Sequence, residues 1–234
     1  MMKEDKVMLF LDDFDAIMIA RKAENNVASC NLETQEVILH YISKFEQEDV
    51  LMVGSATSVS DIDEEITAPG RFDVMIPVFP PNLAERSEII LYAMTKNLDK
   101  DSLLYKILKN NKADRIPFWN EVSSRMKVFS NTMLIDFTQS LKKRIKHLYY
   151  KTRNENLKID KMLLDGALRD AAGKLTGEYL DQMESFIRDV SINNADQFQY
   201  RVHGLKAELD SYKAVEEPRR VIGFHHNDEE GKKD

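Results

Sequence analysis

Apolar residues fall along this chain in two rhythms. Short β-rich runs stand at 7–11 (VMLFL), 50–53 and 74–78 (VMIPV), separated by spans long enough to carry helices. That alternation predicts a parallel α/β sheet. Between the first two runs, LETQEVILHYISKFEQ puts Leu32, Val37, Ile38, Tyr41, Ile42 and Phe45 near one helical face, which predicts a crossover helix. After FPPN only Pro117 interrupts the chain before Pro218 and Gly is sparse, so the remainder is predicted helical. Asn82 and Glu85 suit the N-cap and N3 positions of a helix over LAERSEIILYAMTKN. Ser130 suits the cap of NTMLIDFTQSLKKRIKHLYY, where Met133, Leu134, Phe137, Leu141, Ile145 and Leu148 recur at three and four. A further amphipathic helix is predicted over 159–172. Two last stretches, 178–190 and 194–213, carry narrow stripes: Leu180, Met183, Ile187, Val190, then Phe198, Val202, Leu205, Leu209, Tyr212. Such stripes suit a helical hairpin or a partner helix, but each is only about two heptads long and local packing is the more ordinary explanation. From Glu216 the sequence is polar and predicts a mobile tail.

Composition narrows the classes. The 234 residues are 43% hydrophobic and 31% charged with a net charge of -7, an ordinary globular balance. No apolar run approaches the roughly 20 residues needed to cross a bilayer, so no membrane span is expected. MMKEDK lacks the apolar core of a signal peptide and the single Cys30 excludes an internal disulfide. Those features predict a reducing intracellular compartment, either the cytosol or an organelle stroma or matrix. Lysines and arginines are scattered among acids, so no nucleic-acid face is expected.

The first run ends in charge: VMLFLDDFDAI sets Asp12 and Asp13 where a buried strand stops. In α/β sheets ligands bind outside the carboxyl ends of parallel strands. Two adjacent carboxylates there suit a hydrated Mg²⁺ and an attacking water; they also suit a solvated strand end that caps the next helix. Ser55, Thr57 and Ser58 follow the second run directly, and Arg71 in APGRFD precedes the third.

Taken in order, LFLDDFDAI, GSATS, PGRFD and PPNLAERSEIIL resemble the AAA family of ATPases, of the type shared by FtsH-like proteases and related unfolding motors, over roughly residues 3 to 175. The resemblance implies an α/β fold, a partial parallel-sheet AAA subdomain followed by a helical lid and extra C-terminal helices. Residues 1–80 would be the C-terminal half of the large subdomain, 81–175 the lid, 176–215 accessory helices and 216–234 a tail. It also implies that Asp12 holds Mg²⁺ through water and that Asp13 replaces the glutamate that polarises the attacking water. Ser58 stands at the γ-phosphate sensor, usually Asn. Arg71 matches an arginine lent across a subunit boundary, and Thr132 lies where the lid meets the nucleotide.

Four departures accompany the match. Asp13 is a methylene shorter than Glu, and a displacement near 1 Å costs on the order of 10²-fold in rate. Ser58 is shorter than Asn, Ala68 replaces the family's first arginine, and FSNTMLID replaces a small-residue turn so that Thr132 or Met133 crowds the approach. Together they predict weak or absent hydrolysis. No G-x-x-x-x-G-K-[ST] occurs in these residues, so nothing supplies the family's phosphate cradle. Three strands would also leave an apolar edge, which predicts that an upstream half of a longer chain or another polypeptide completes the sheet.

The resemblance therefore implies a subunit of a hetero-oligomeric, ATP-driven protein-remodelling or protein-translocating ring. It would be an inactive FtsH-like subunit that lends Arg71 to a neighbour, binds ATP and Mg²⁺ only in the completed module, and docks partners through helices at 178–213. One alternative is a fragment of a working ATPase; another is a helical scaffold that retains an old module. His40, His147, His203, His225 and His226 form no HExxH, so no protease site is expected. Cys30 reads as a bystander in a connection, the eleven methionines as gap filling, and Trp119 as packing of the lid against its neighbour.

Overall fold

The computed structural model describes residues 7–18, 29–48, 50–68, 70–193 and 196–220. Strands β1 (Met8–Leu11) and β2 (Leu51–Gly54) pair in parallel, Met8 opposite Leu51 and Leu11 opposite Gly54. Between them lie the one-turn helix α1 (Phe14–Ile17) and the crossover helix α2 (Ser29–Gln47). Among the described residues seven helices follow: α3 (Leu83–Thr95), α4 (Leu103–Asn110), α5 (Ile116–Ser124), α6 (Asn131–Thr152), α7 (Lys161–Ala172), α8 (Gly177–Asn193) and α9 (Gln199–Arg220). The fold is thus a small parallel sheet with its crossover, followed by helices. The chain divides into two compact units, 1–78 with 177–202, and 79–176 with 203–234.

In the first unit, Leu11 and Met52 turn toward a core of Phe14, Met18, Leu39, Ile42, Ile62 and Ile66. The pleat sends their neighbours to the opposite face, where Met8 (65%), Phe10 (58%), Leu51 (58%) and Val53 (37%) are exposed. Helix α2 buries Gln35, Leu39 and Ile42, whereas Val37 and Tyr41, expected on the inner face, turn outward. The stripe 35/38/39/42 follows the helical period, and at about 100° per residue positions 37 and 41 fall more than about 100° around the helix from its centre. The side chain of Leu32 lies outside the described residues, and Cys30, expected in a connection, is in the first turn of α2.

The expected third strand does not form: among the described residues the sheet has two strands, and Val74, Ile76 and Val78 are each more than three-quarters exposed. Alternating apolar residues favour extended backbone, yet a strand also needs a neighbour to accept its ladder bonds, and 74–78 has none.

In the second unit α3 begins with the expected capping box: Glu85 N–H donates to Asn82 Oδ1 at 3.0 Å and Asn82 N–H to Glu85 Oε2 at 2.8 Å. Ser130 caps α6 by accepting Met133 N–H at 3.3 Å. Met133, Leu134, Phe137, Leu141 and Ile145 are buried as their spacing predicts. Trp119 is fully buried, its Nε1–H donating to the Ala113 carbonyl at 2.9 Å and its ring set edge-on to Phe118 and Phe137. Its packing partners belong to its own unit.

Arg86, the arginine of the motif in α3, is 1% exposed and forms a two-pronged pair with Glu208 of α9, both contacts at 2.8 Å. It also donates to the Pro81 carbonyl at 3.1 Å, and Glu208 accepts Val128 N–H at 3.2 Å, where Val128 takes a left-handed φ of 54°. A partly buried carboxylate with this many donors joins α3, the turn before α6 and α9. Of the two C-terminal stripes, Leu180, Met183 and Val190 of α8 are buried in the first unit and Leu205 and Leu209 of α9 in the second, while Ile187, Phe198 and Tyr212 are half-buried. Helix α9 runs on to Arg220, into the stretch expected to be tail, and residues 221–234 with His225 and His226 lie outside the described residues. Among the described residues no helix is long and apolar enough to cross a membrane.

Burial alone would raise the Glu208 carboxyl; the hydrogen bonds and charge of Arg86, with Val128 N–H and Lys127, hold it below its ordinary value. A depressed folded-state value adds stability above the unfolded value that is lost as the pH falls through the folded one. Urea midpoints should therefore decline on the acid side below the ordinary glutamate range, and this part of the decline should vanish in Glu208→Gln. Arg86→Met, which strands the carboxylate, should cost about 3 kcal/mol at neutral pH in urea unfolding; a change within error would remove this pair from the account of the second unit.

Candidate functional site

The carboxyl end of the β1/β2 pair gathers most of the residues singled out from the sequence. Ser55 follows β2 and is tied into the sheet end by backbone, its N–H donating to Leu11 O at 2.9 Å and its carbonyl accepting Phe14 N–H at 2.8 Å. Its hydroxyl lies between the two aspartates: it donates to Asp12 Oδ1 at 2.5 Å and accepts Asp13 N–H at 3.0 Å. One serine thus fixes the rotamer of Asp12 and the backbone of Asp13.

Asp13 occupies the left-handed region, φ 49° and ψ 47°, at the N-cap of α1. An L-residue other than glycine pays strain there, and aspartate is among the few that tolerate it. Capping does not explain the choice, because the Asp13 side chain makes no cap hydrogen bond. Asp12 and Asp13 are both exposed. The Asp13 carboxylate is thus left exposed at the strand end, on backbone in the left-handed region.

Beyond Ser55 the loop is held through its amides. Asp15 of α1 accepts Thr57 N–H at 2.8 Å and Ser58 N–H at 3.2 Å. The Ser58 and Ser60 hydroxyls are 3.1 Å apart. Sequence reasoning missed the positioning roles of Asp15 and Ser55; the signal for Asp15 was its place one helical turn past the strand end, where its carboxylate faces back across to the loop after β2.

Arg71 is half-buried, and its Nη1–H donates to the Glu65 carbonyl of its own loop. Gly70 before it has φ 85°, open to glycine without strain, and its N–H donates to Asp73 Oδ1 at 2.7 Å. Phe72 beside it packs on Phe14 with ring centroids 5.2 Å apart, so the PGRFD turn is anchored to the core near β1. Pro69 lies outside the described residues. Asp12, Asp13, Ser58 and Arg71 all belong to the first unit, and Thr132 stands exposed on the first turn of α6 in the second.

Tested against Mg²⁺, the donor set has the right chemistry and too few ligands for direct capture. Asp12 and Asp13 offer hard oxygens, yet among the described residues no group of three or more His, Cys, Asp or Glu could hold a metal ion.

The family "ATPase family associated with various cellular activities (AAA)" matches residues 1–79. Curated relatives include the ATP-dependent zinc metalloprotease FtsH of Lachnoclostridium phytofermentans, 32% identical over 113 residues, covering 46% of this chain and 19% of that protein. They include the ATP-dependent zinc metalloprotease FTSH 11, chloroplastic/mitochondrial, of Arabidopsis thaliana, 34% identical over 101 residues, covering 42% of this chain and 12% of that protein. The YME1 homolog of Caenorhabditis elegans, also an ATP-dependent zinc metalloprotease, is 28% identical over 102 residues, covering 43% and 14%. The chain thus spans about a fifth or less of the length of these relatives. Residues 1–79 thus carry a similarity to the AAA ATPase family, and the FtsH-like zinc metalloproteases are among the proteins this chain resembles.

Proposed function

We propose that this chain is a subunit of an oligomeric ATP-driven AAA ring that remodels or translocates protein, and that it contributes to shared nucleotide pockets more than it hydrolyses ATP itself. The observation that carries the reading is the Asp12 carboxylate, exposed at the carboxyl end of β1 and clasped by Ser55 at 2.5 Å. Asp12 would hold the hydrated Mg²⁺ and Ser58 would face the γ-phosphate. Mg²⁺ bridging the phosphates supplies neutralisation of the charge that develops in phosphoryl transfer. Asp13, in place of the family's glutamate, sets the attacking water poorly, and this is the main reason for weak turnover.

Arg71 would serve the adjacent subunit. A guanidinium cannot lose its proton in a protein and its donors are fixed in one plane, so it can neutralise an oxyanion it does not own. Its hydrogen bond to the Glu65 carbonyl is a neutral contact in its own loop, exchangeable for a phosphate when a neighbour presents one.

The phosphate cradle must come from elsewhere. The bare sheet face of Met8, Phe10, Leu51 and Val53 supports this, because parallel sheets are ordinarily covered on both faces. A strand-and-helix layer carrying a P-loop would cover that face and grip the phosphates. The same observation favours a second reading, in which such a layer belongs to this polypeptide and the subunit is a working ATPase.

Mixed rings separate these readings. Arg71→Ala in this subunit should lower ring ATPase activity by at least about tenfold at pockets that receive the arginine, with this subunit's own nucleotide affinity nearly unchanged; equal activity of mutant and wild-type rings would refute the lent cation. The 234-residue chain alone should show no ATP turnover above a Asp12→Asn control in a phosphate-release assay. Robust turnover by the chain alone would refute the shared-pocket reading.

A further inference from the structure

Helix α8 lies outside the AAA-matched segment, yet it reaches the loop that follows β2. Its Asp189 is 7% exposed, and the carboxylate accepts Val59 N–H at 3.2 Å and Ser60 N–H at 3.3 Å. With Asp15 holding Thr57 and Ser58, four successive amides, 57 to 60, are gripped by two carboxylates from opposite ends of the sequence. Burying a carboxylate is costly unless donors meet it, and amide groups aimed at an anion are the strong kind of hydrogen bond. The loop is further fixed at its exit, where Asp63 N–H donates to Met18 O at 3.0 Å and Ile62 and Ile66 enter the core. The Asp189 grip leads on to Ser58: Ser60, whose N–H it binds, sets its hydroxyl 3.1 Å from that of Ser58.

We propose that Asp189 is a positioning residue for the nucleotide-sensing loop, a strap from α8 that sets the Ser58 hydroxyl through Ser60. The inference rests on the AAA reading given above. Serine is shorter than the family's asparagine, and a hydroxyl pair held by an outside carboxylate restores a fixed donor at that position. It follows that whatever moves α8 moves Ser58.

Hydrogen exchange read by mass spectrometry on the full chain tests the strap, with the peptide covering 55–62 as reporter. Asp189→Asn should raise exchange at Val59 and Ser60 about tenfold, the lower end for loss of a charge-assisted bond. The β1/β2 amides should stay unchanged. Asp189→Glu should restore most of the protection, and Asp181→Asn, on the exposed side of α8, should have no effect. In assembled rings Mg-ATP should protect the reporter in wild type, and Asp189→Asn and Ser60→Ala should each lose at least half of that added protection. Unchanged 59–60 exchange in Asp189→Asn overturns the strap, as does full Mg-ATP protection in both variants. A wild-type reporter blind to Mg-ATP in the ring overturns the nucleotide reading instead, because strap loosening is measured without nucleotide.

Discussion

A single hydroxyl bridging two strand ends organises the proposed site. Ser55 can reach Asp12 only because β1 and β2 run parallel and in register, which brings the first residue after β2 level with the first residues after β1. An antiparallel pair would put these ends at opposite edges. The crossover helix makes the parallel pairing, Leu39 and Ile42 of α2 make the crossover pack, and the positions of Asp12, Asp13 and Ser58 follow from that chain of causes. Among the described residues one face of this two-strand pair is packed on the core that includes α2, and Met8, Phe10, Leu51 and Val53 on the other face are exposed.

Much of this was legible in the sequence where local physics decides. The Asn82/Glu85 box, the Ser130 cap and the α6 stripe depend on residues within one or two turns of each other, and they stand where spacing puts them. The placement of Asp12 and Ser58 near one sheet end was legible because strand ends in parallel sheets present their next polar residues to a common edge. What failed depended on distant partners. The run 74–78 alternates like a strand, but pairing needs a neighbour that no local pattern supplies. Val37 and Tyr41 are apolar and close to the stripe, and only the sheet's position shows that Gln35 faces in instead. Asp189 carries no signal at all in a one-dimensional reading, since its partners are 129 and 130 residues away.

Arg86 shows how one motif can serve stability and not chemistry. It occurs in PPNLAERSEIIL, one of the stretches that carry the resemblance, yet its guanidinium is buried against Glu208 and the Pro81 carbonyl. Arg71 is the reverse case: half-buried, bound to one neutral carbonyl, and placed beside a glycine turn anchored by Phe72. Burial and the charge of the partner distinguish the two arginines, where residue type alone does not.

The central claim is that Asp12 faces a Mg-nucleotide in a pocket this chain shares with another polypeptide or segment. Equilibrium dialysis of labelled ATP against assembled rings, with and without Mg²⁺, measures it directly. The account predicts that Asp12→Asn in this subunit abolishes the Mg²⁺-dependent part of binding at the sites it helps form while leaving ring assembly intact. Binding that keeps its Mg²⁺ dependence, site number and affinity in the variant would contradict it.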